Sequence, residues 1–293
     1  MKKYNGKNII VMACSNCNID CSHCYVSYKG NFDSNNLLDL VKELKKDYNI
    51  TINGAELLTN INYLKSLQEI NQTYLMSNGL AIYNNPQIVD ILKKHDIRSV
   101  SLSYHYGIQD DLSVMNISKI EEVIRWLRLN DLEVRLLTTI TSKNYNQIEQ
   151  MCLNAYRLNT RGIKFTNFLS QGNAIDMSKD NILSEQQKKI FFEQLYNARM
   201  IYDINELIIE RCGSFGKDLI GKKNHFKCDA ISDTVVLTPD YNIYPCIFLA
   251  KPGYEIGRYE NGEVLLNVEP NIEFNSCIAE DFCNKKIKSL KIE

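Results

Sequence analysis

The stretch Cys17-Asn18-Ile19-Asp20-Cys21-Ser22-His23-Cys24 places three thiols in a C-x3-C-x2-C run. Thiolates are soft ligands that select iron-sulfur clusters or zinc. Three of them are enough for three irons of a cubane cluster, which leaves the fourth iron open to chelate a substrate or cofactor. Cys14 and Cys17 form a further C-x2-C pair, so a zinc site stays open at this point, as does a chance run. Structural zinc sites usually separate two such pairs by a longer loop than the one between Cys17 and Cys21. Of the ten cysteines, Cys152 stands alone, while Cys212, Cys228, Cys246, Cys277 and Cys283 fall in the last third. Without a signal-peptide pattern, such usage points to metal ligation or redox chemistry in a reducing compartment, hence to the cytoplasm. His105, between Tyr104 and Tyr106, is a candidate to position substrate or move a proton.

The elements that must position these groups follow from periodicity. Short β-branched or apolar runs, at 9–13, 50–53, 73–77, 99–103, 133–139 and 162–168, alternate with amphipathic segments. This is the signature of repeated β/α units around a parallel sheet. Leu37, Leu40, Val41 and Leu44 recur at helical spacing, as do Ile117, Ile120, Ile124 and Leu127 behind a cap at Asn116 or Ser118. Ser184 with Gln187 opens a last long helix. The cysteine run therefore sits at the C-terminal end of the first strand, the face on which parallel β/α sheets and barrels carry active sites.

After Tyr202 the pattern breaks. A basic stretch around Lys222 and Lys223 is followed by two strand-like runs, at 233–239 and 242–248, around the turn signal Pro239-Asp240-Tyr241. The tail, 276–292, reads as a short lysine-rich helix bracketed by Cys277 and Cys283. We expect two domains, 1–205 and 206–293. Thirty-four basic against thirty-five acidic side chains give a net charge of -1, so no global field draws the chain to nucleic acid or anionic lipid. No run is long and apolar enough to span a membrane.

The C-x3-C-x2-C run after a first strand resembles radical S-adenosylmethionine (SAM) enzymes, whose three cysteines bind a 4Fe-4S cluster and whose open iron takes SAM. The resemblance extends from Asn8 to about Ala174. It implies an α/β fold, a partial (β/α)6 barrel, with Cys17, Cys21 and Cys24 as cluster ligands and His23 at a position usually aromatic. Asn53-Gly54-Ala55-Glu56 stands where the family has Gly-Gly-Glu, so its backbone and Glu56 would bind the SAM ammonium. Ser77-Asn78-Gly79 resembles Thr-Asn-Gly. Ser101-Leu102-Ser103 resembles Ser-Leu-Asp, with Ser103 in place of the aspartate. Arg135 lies where relatives place a polar residue reaching the SAM carboxylate. Ser170-Gln171-Gly172-Asn173-Ala174 resembles a Gly-Arg-Ala element near adenosine, with Asn173 replacing the arginine.

A second match begins at Cys228-Asp229-Ala230 and continues at Tyr244-Pro245-Cys246. It resembles the SPASM or twitch modules of the same enzymes, small β-hairpin-plus-helix domains that carry auxiliary clusters. Cys228, Cys246, Cys277 and Cys283 number enough for one auxiliary 4Fe-4S cluster, which implies a twitch-like module; a zinc site from the same sulfurs is the alternative. By analogy with peptide epimerases, Cys212 is a candidate hydrogen-atom donor.

The resemblance implies reductive cleavage of SAM to a 5′-deoxyadenosyl radical that takes hydrogen from a substrate. An electron donor such as flavodoxin or ferredoxin would supply the electron. Ribosomally made peptide is the expected substrate, modified by crosslink, epimerisation or oxidation, and a separate peptide-recognition protein is expected because the first strand begins so early. The alternatives are dehydrogenation of a small alcohol or sugar-like metabolite and, from another class, a zinc-binding interaction protein.

Overall fold

The protein is described by a computed structural model at residues 1–177, 179–215, 228–269, 274 and 277–283, with residues 280, 282 and 283 in backbone alone. The described residues form a mixed α/β fold with parallel strand pairing and divide into two compact units. The first unit holds Met1–Asn18, Tyr25–Thr73 and the described residues from Cys228 onward; the second holds Ile19–Cys24 and the described residues from Tyr74 to Phe215.

In the first unit, β2 (Asn8–Met12) buries Ile9, Val11 and Met12 and is flanked on both sides by parallel neighbours. On one side lies β3 (Asn49–Asn53), with Ile10 opposite Thr51; on the other lies β9 (Thr234–Leu237), with Ile10 opposite Val236. The C-terminal strands thus share a sheet with the first strand. β10 (Asn242–Tyr244) returns antiparallel to β9 around the expected turn. There Asp240 accepts hydrogen bonds from the Thr238 hydroxyl at 2.6 Å and the Asn242 N–H at 3.3 Å, and Tyr241 takes a φ of 62°. A second hairpin, β11 (Gly257–Glu260) and β12 (Glu263–Leu266), turns on Asn261 and Gly262, with φ of 51° and 82°. Positive φ at both central residues is the backbone a two-residue turn needs to match strand twist, and Asn-Gly supplies it. β1 (Lys2–Lys3) closes the seven-stranded sheet beside β12. Over this unit, α1 (Ser34–Leu44) is capped by the Asp33 carboxylate, which accepts from the N–H groups of Asn35 and Asn36. Its Leu37, Leu40, Val41 and Leu44 are all buried, each stabilising the fold by about 2 kcal/mol relative to an exposed side chain.

The second unit is built on a wholly parallel five-stranded sheet in sequence order: β4 (Tyr74–Ser77), β5 (Ser99–Ser103), β6 (Glu133–Ile140), β7 (Gly162–Asn167) and β8 (Ile208–Arg211). β2 to β7 correspond to the six strands expected from the sequence, divided between the two sheets; β1, β8 and the β11–β12 hairpin are additional. The connecting helices α6 (Ile117–Leu129), α7 (Ile148–Arg157) and α8 (Glu185–Ile201) bury Ile120, Val123, Ile124 and Leu127, then Met151 and Ala155, then Phe191, Phe192 and Leu195. Asn116, not Ser118, caps α6 by accepting the Lys119 N–H at 3.0 Å. Ser184 and Gln187 form the reciprocal box that starts α8. Phe191 sets its ring edge on Phe165 at 5.9 Å, which marks the sheet face that the helices cover.

Strand register separates the two faces of this sheet. Leu75, Val100, Leu102, Val134, Leu136, Ile163 and Phe165 point to the helical side and are buried. Met76, Ser101, Arg135 and Ile208 form one cross-strand row on the other face, and Ser103, Leu137, Lys164 and Glu210 the next. None of these eight side chains is buried, and five of them carry a hydroxyl or a charge.

Candidate cofactor site

The candidate residues fall into two groups, one on each unit. In the first unit the loops after β2 and β3 interlock. The Ala13 N–H donates to Asn53 O at 2.6 Å and the Ala55 N–H to Cys14 O at 2.8 Å, while the Tyr28 hydroxyl donates to the same Cys14 carbonyl at 2.5 Å. Gly54 is a true requirement here, since a Cβ at that position would stand 2.7 Å from Cys14 Sγ. Cys14 is therefore a packed thiol. Burial pushes its pKa up, and its Sγ donates toward Glu56 O at 3.6 Å. Glu56 is only 1% exposed, and one carboxylate oxygen accepts the Leu58 N–H at 3.2 Å, capping the short turn Leu57–Thr59. Asn53 is buried, whereas Gly54 and Ala55 are half-buried and offer backbone groups.

Cys17 is exposed at the edge of this unit, and the chain then passes into the second unit at Ile19. Cys21 and Cys24 are half-buried and lie on one turn, closed by the Cys24 N–H donating to Cys21 O at 3.2 Å. The Ser22 hydroxyl donates to Asp111 O at 3.1 Å. His23 packs edge-on against His105, ring centroids 4.6 Å apart. Burial pulls the pKa of His23 down to about 4, against a hydrogen bond with the Leu112 backbone, and leaves its Nδ1 buried without a hydrogen-bond partner. His105 is held well below its ordinary value, first by burial and then by His23, so both rings are neutral. Its Nδ1 accepts the Thr139 N–H at 3.0 Å, and the backbone N–H of His105 donates to Gln109 Oε1 at 2.7 Å. The ring is only 4% exposed.

The other residues of the second unit separate by face. Ser101 and Arg135 are direct cross-strand neighbours on the open side, with Ser103 one row on. Arg135 Nη1 lies 3.8 Å from Glu210 Oε2 with both side chains well exposed, a pairing of little energy that leaves the guanidinium able to engage an anion. Ser77 sits on the helical face instead. Its hydroxyl accepts the Gly79 N–H at 3.0 Å, and Asn78 Oδ1 accepts the Leu80 N–H at 2.9 Å, so both build the turn into α3 (Leu80–Asn84). Gly79 takes a φ of 86° there. Cys212 is half-buried just after β8, its N–H donating to Phe165 O at 2.7 Å.

Of the C-terminal cysteines, Cys228 is half-buried and its N–H donates to Phe274 O at 3.1 Å. Cys246 is half-buried directly after β10, and Cys277 is buried at the head of α9 (Ile278–Cys283). The side chain of Cys283, like Lys222 and Lys223, lies outside the described residues. In the same unit the segment that follows Cys24 packs beside β9 and β10: Tyr28 and Val26 join Met12, Val236, Tyr244, Ile247 and Ala250 in one apolar cluster. Tyr25 meets Phe248 edge-on at 4.8 Å.

In donor chemistry Cys17, Cys21 and Cys24 fit a three-thiolate iron-sulfur site, with the loop outside regular structure and its thiols at least partly accessible. Among the described residues no three Cys, His, Asp or Glu side chains converge closely enough to hold a single metal ion. Nor is any described helix long and apolar enough to cross a membrane.

No protein-family model matches the sequence, and no curated protein does. Solved structures do. SuiB of Streptococcus suis bound to the precursor peptide SuiA superposes with a TM-score of 0.66 at 13% identity, over 85% of this chain and 61% of SuiB. SuiB bound to S-adenosylmethionine gives 0.63 at 14% identity, over 85% of this chain and 62% of SuiB. Native anSMEcpe with bound AdoMet gives 0.64 at 17% identity, over 86% and 77%. The chain therefore spans about three fifths of the length of SuiB. At these identities the likeness is one of fold: a mixed α/β architecture shared with proteins whose structures contain S-adenosylmethionine.

Proposed function

We propose that this chain is a radical SAM enzyme in which Cys17, Cys21 and Cys24 carry a 4Fe-4S cluster and the mixed α/β fold holds SAM. The observation that supports it best is the three-cysteine loop at the C-terminal end of β2, on a fold shared with SAM-bound structures. When bound, the cluster supplies the electron that splits SAM into methionine and a 5′-deoxyadenosyl radical.

The remaining work falls to the chain. Arg135 pairs with the SAM carboxylate, and Ser101 and Ser103 beside it offer hydroxyls to the same ligand. The backbone of Asn53, Gly54 and Ala55 and the second carboxylate oxygen of Glu56 take the ammonium, while the first oxygen remains a helix cap. Ser77 and Asn78 act through the turn they build, and His23 and His105 support the loop. Cys228, Cys246, Cys277 and Cys283 carry one auxiliary 4Fe-4S cluster in a twitch-like module, whose β9–β10 hairpin is seated against the first strand.

A peptide is the substrate class best supported, because SuiB is bound to a precursor peptide and anSMEcpe to AdoMet with the Cp18Cys peptide. An electron donor of the flavodoxin or ferredoxin kind and a separate peptide-recognition protein complete the system, in a reducing cytoplasm that keeps the thiols available. The test is anaerobic reconstitution with iron and sulfide, then reductant and SAM. Brown protein that forms 5′-deoxyadenosine is expected. Colourless protein that retains zinc and forms none would replace this reading with a zinc-binding interaction protein.

A further inference from the structure

Resting on that reading, we infer that Asn173 is a positioning residue that fixes the Cys21–Cys24 half of the cluster loop. Asn173 lies in the short turn Gly172–Ile175, entered through Gly172 at a φ of 59°. Its backbone N–H donates to Cys24 O at 2.9 Å. Its side-chain amide donates twice more, to Cys21 O at 3.1 Å and to Asp20 Oδ1 at 3.0 Å. One residue thus ties down the carbonyls of both thiol-bearing residues, on the same turn that the Cys24 N–H to Cys21 O bond closes.

The chemistry selects asparagine. Two N–H donors on a short side chain meet two acceptors, one of them charged. Aspartate would set a carboxylate against the Asp20 carboxylate and the Cys21 carbonyl, serine has one donor, and alanine none. Groups that orient ligand-bearing residues from outside the ligand set govern retention and electronics of a metal site as much as they govern geometry.

Four full-length proteins test this after anaerobic reconstitution: wild type, Asn173→Ala, Asn173→Asp, and Asp20→Asn with Asn173→Asp. We expect Asn173→Ala to lose iron to a chelator on the order of tenfold faster than wild type. Asn173→Asp should lose it faster still and lower the midpoint potential of the SAM-responsive cluster signal, since a second negative charge stands beside the loop. The double variant returns a donor to position 20 and should recover part of both. Wild-type retention and potential in Asn173→Ala and Asn173→Asp would overturn the assignment.

Hydrogen exchange on the metal-free chain separates this inference from the functional reading. Faster exchange over residues 19–24 in Asn173→Ala supports the clamp even if wild type were to take up no cluster, and unchanged exchange would overturn it.

Discussion

The two sheets treat their faces differently. β2 is enclosed by parallel neighbours on both edges, and the loop that follows it is locked by Gly54, Cys14, Tyr28 and Glu56 into a buried turn. The five-stranded sheet of the second unit seals one face with three helices and leaves the other lined by Ser101, Ser103, Arg135, Lys164 and Glu210. A surface rich in charge and hydroxyls, carried by strands whose opposite face is apolar, suits a polar ligand, whereas a buried, locked turn fixes the backbone that leads into the cysteine run. The cysteine run takes part in both, leaving the first unit after Asn18 and rejoining it at Tyr25.

That contrast can be broken at several points. The largest expected effect is on the C-terminal cysteines: replacing Cys228 and Cys246 with alanine should remove about four irons per chain while the SAM-responsive cluster persists. An unchanged iron count would show that the two cysteine regions are not separate sites.

Next comes pH. A histidine whose folded pKa lies below its unfolded value binds fewer protons folded than unfolded, so its stabilising effect is complete above about pH 6.5 and is lost as pH falls toward 4. For His23, pulled from 6.5 to about 4, this amounts to about 3 kcal/mol, with His105 adding in the same direction. Urea unfolding of the metal-free chain at pH 7 and pH 4.5 measures it; equal stabilities would mean that the two rings are not buried as a neutral pair.

Gly54→Ala should destabilise the first unit by about 2 kcal/mol, because the new methyl would meet Cys14 Sγ. Thermal unfolding reads the loss, and the variant Gly54→Ala with Cys14→Ala should regain part of it. Smaller still, Arg135→Ala should weaken SAM binding on the order of tenfold, measured by calorimetry. Ser77→Ala, on the sealed face, should leave binding unchanged and cost about 1 kcal/mol of stability. Equal effects of the two on binding would erase the distinction between the faces.

Much of this was legible in local sequence. β-branched runs mark β2 to β7, the Ser184–Gln187 pair marks the start of α8, and Pro239-Asp240-Tyr241 marks a turn, because each is encoded by neighbours in the chain. The β11–β12 hairpin carries its own signal in Asn261-Gly262, but the flanking runs are too short to mark strands by themselves. Pairings between distant segments left no local trace. The parallel seat of β9 against β2, the His23–His105 contact and the clamp of Asn173 on Cys21 and Cys24 each join residues far apart in sequence. Ser77 shows the converse: a motif position legible in the sequence whose hydroxyl also accepts the Gly79 N–H in a backbone turn.

The most direct measurement is 5′-deoxyadenosine formation from SAM and reductant by the reconstituted protein and by its Cys17→Ala, Cys21→Ala and Cys24→Ala variants. The account predicts formation by the wild type and none by any of the three, each with the SAM-responsive cluster lost. Deoxyadenosine formed at wild-type rate by any one of these variants would contradict it.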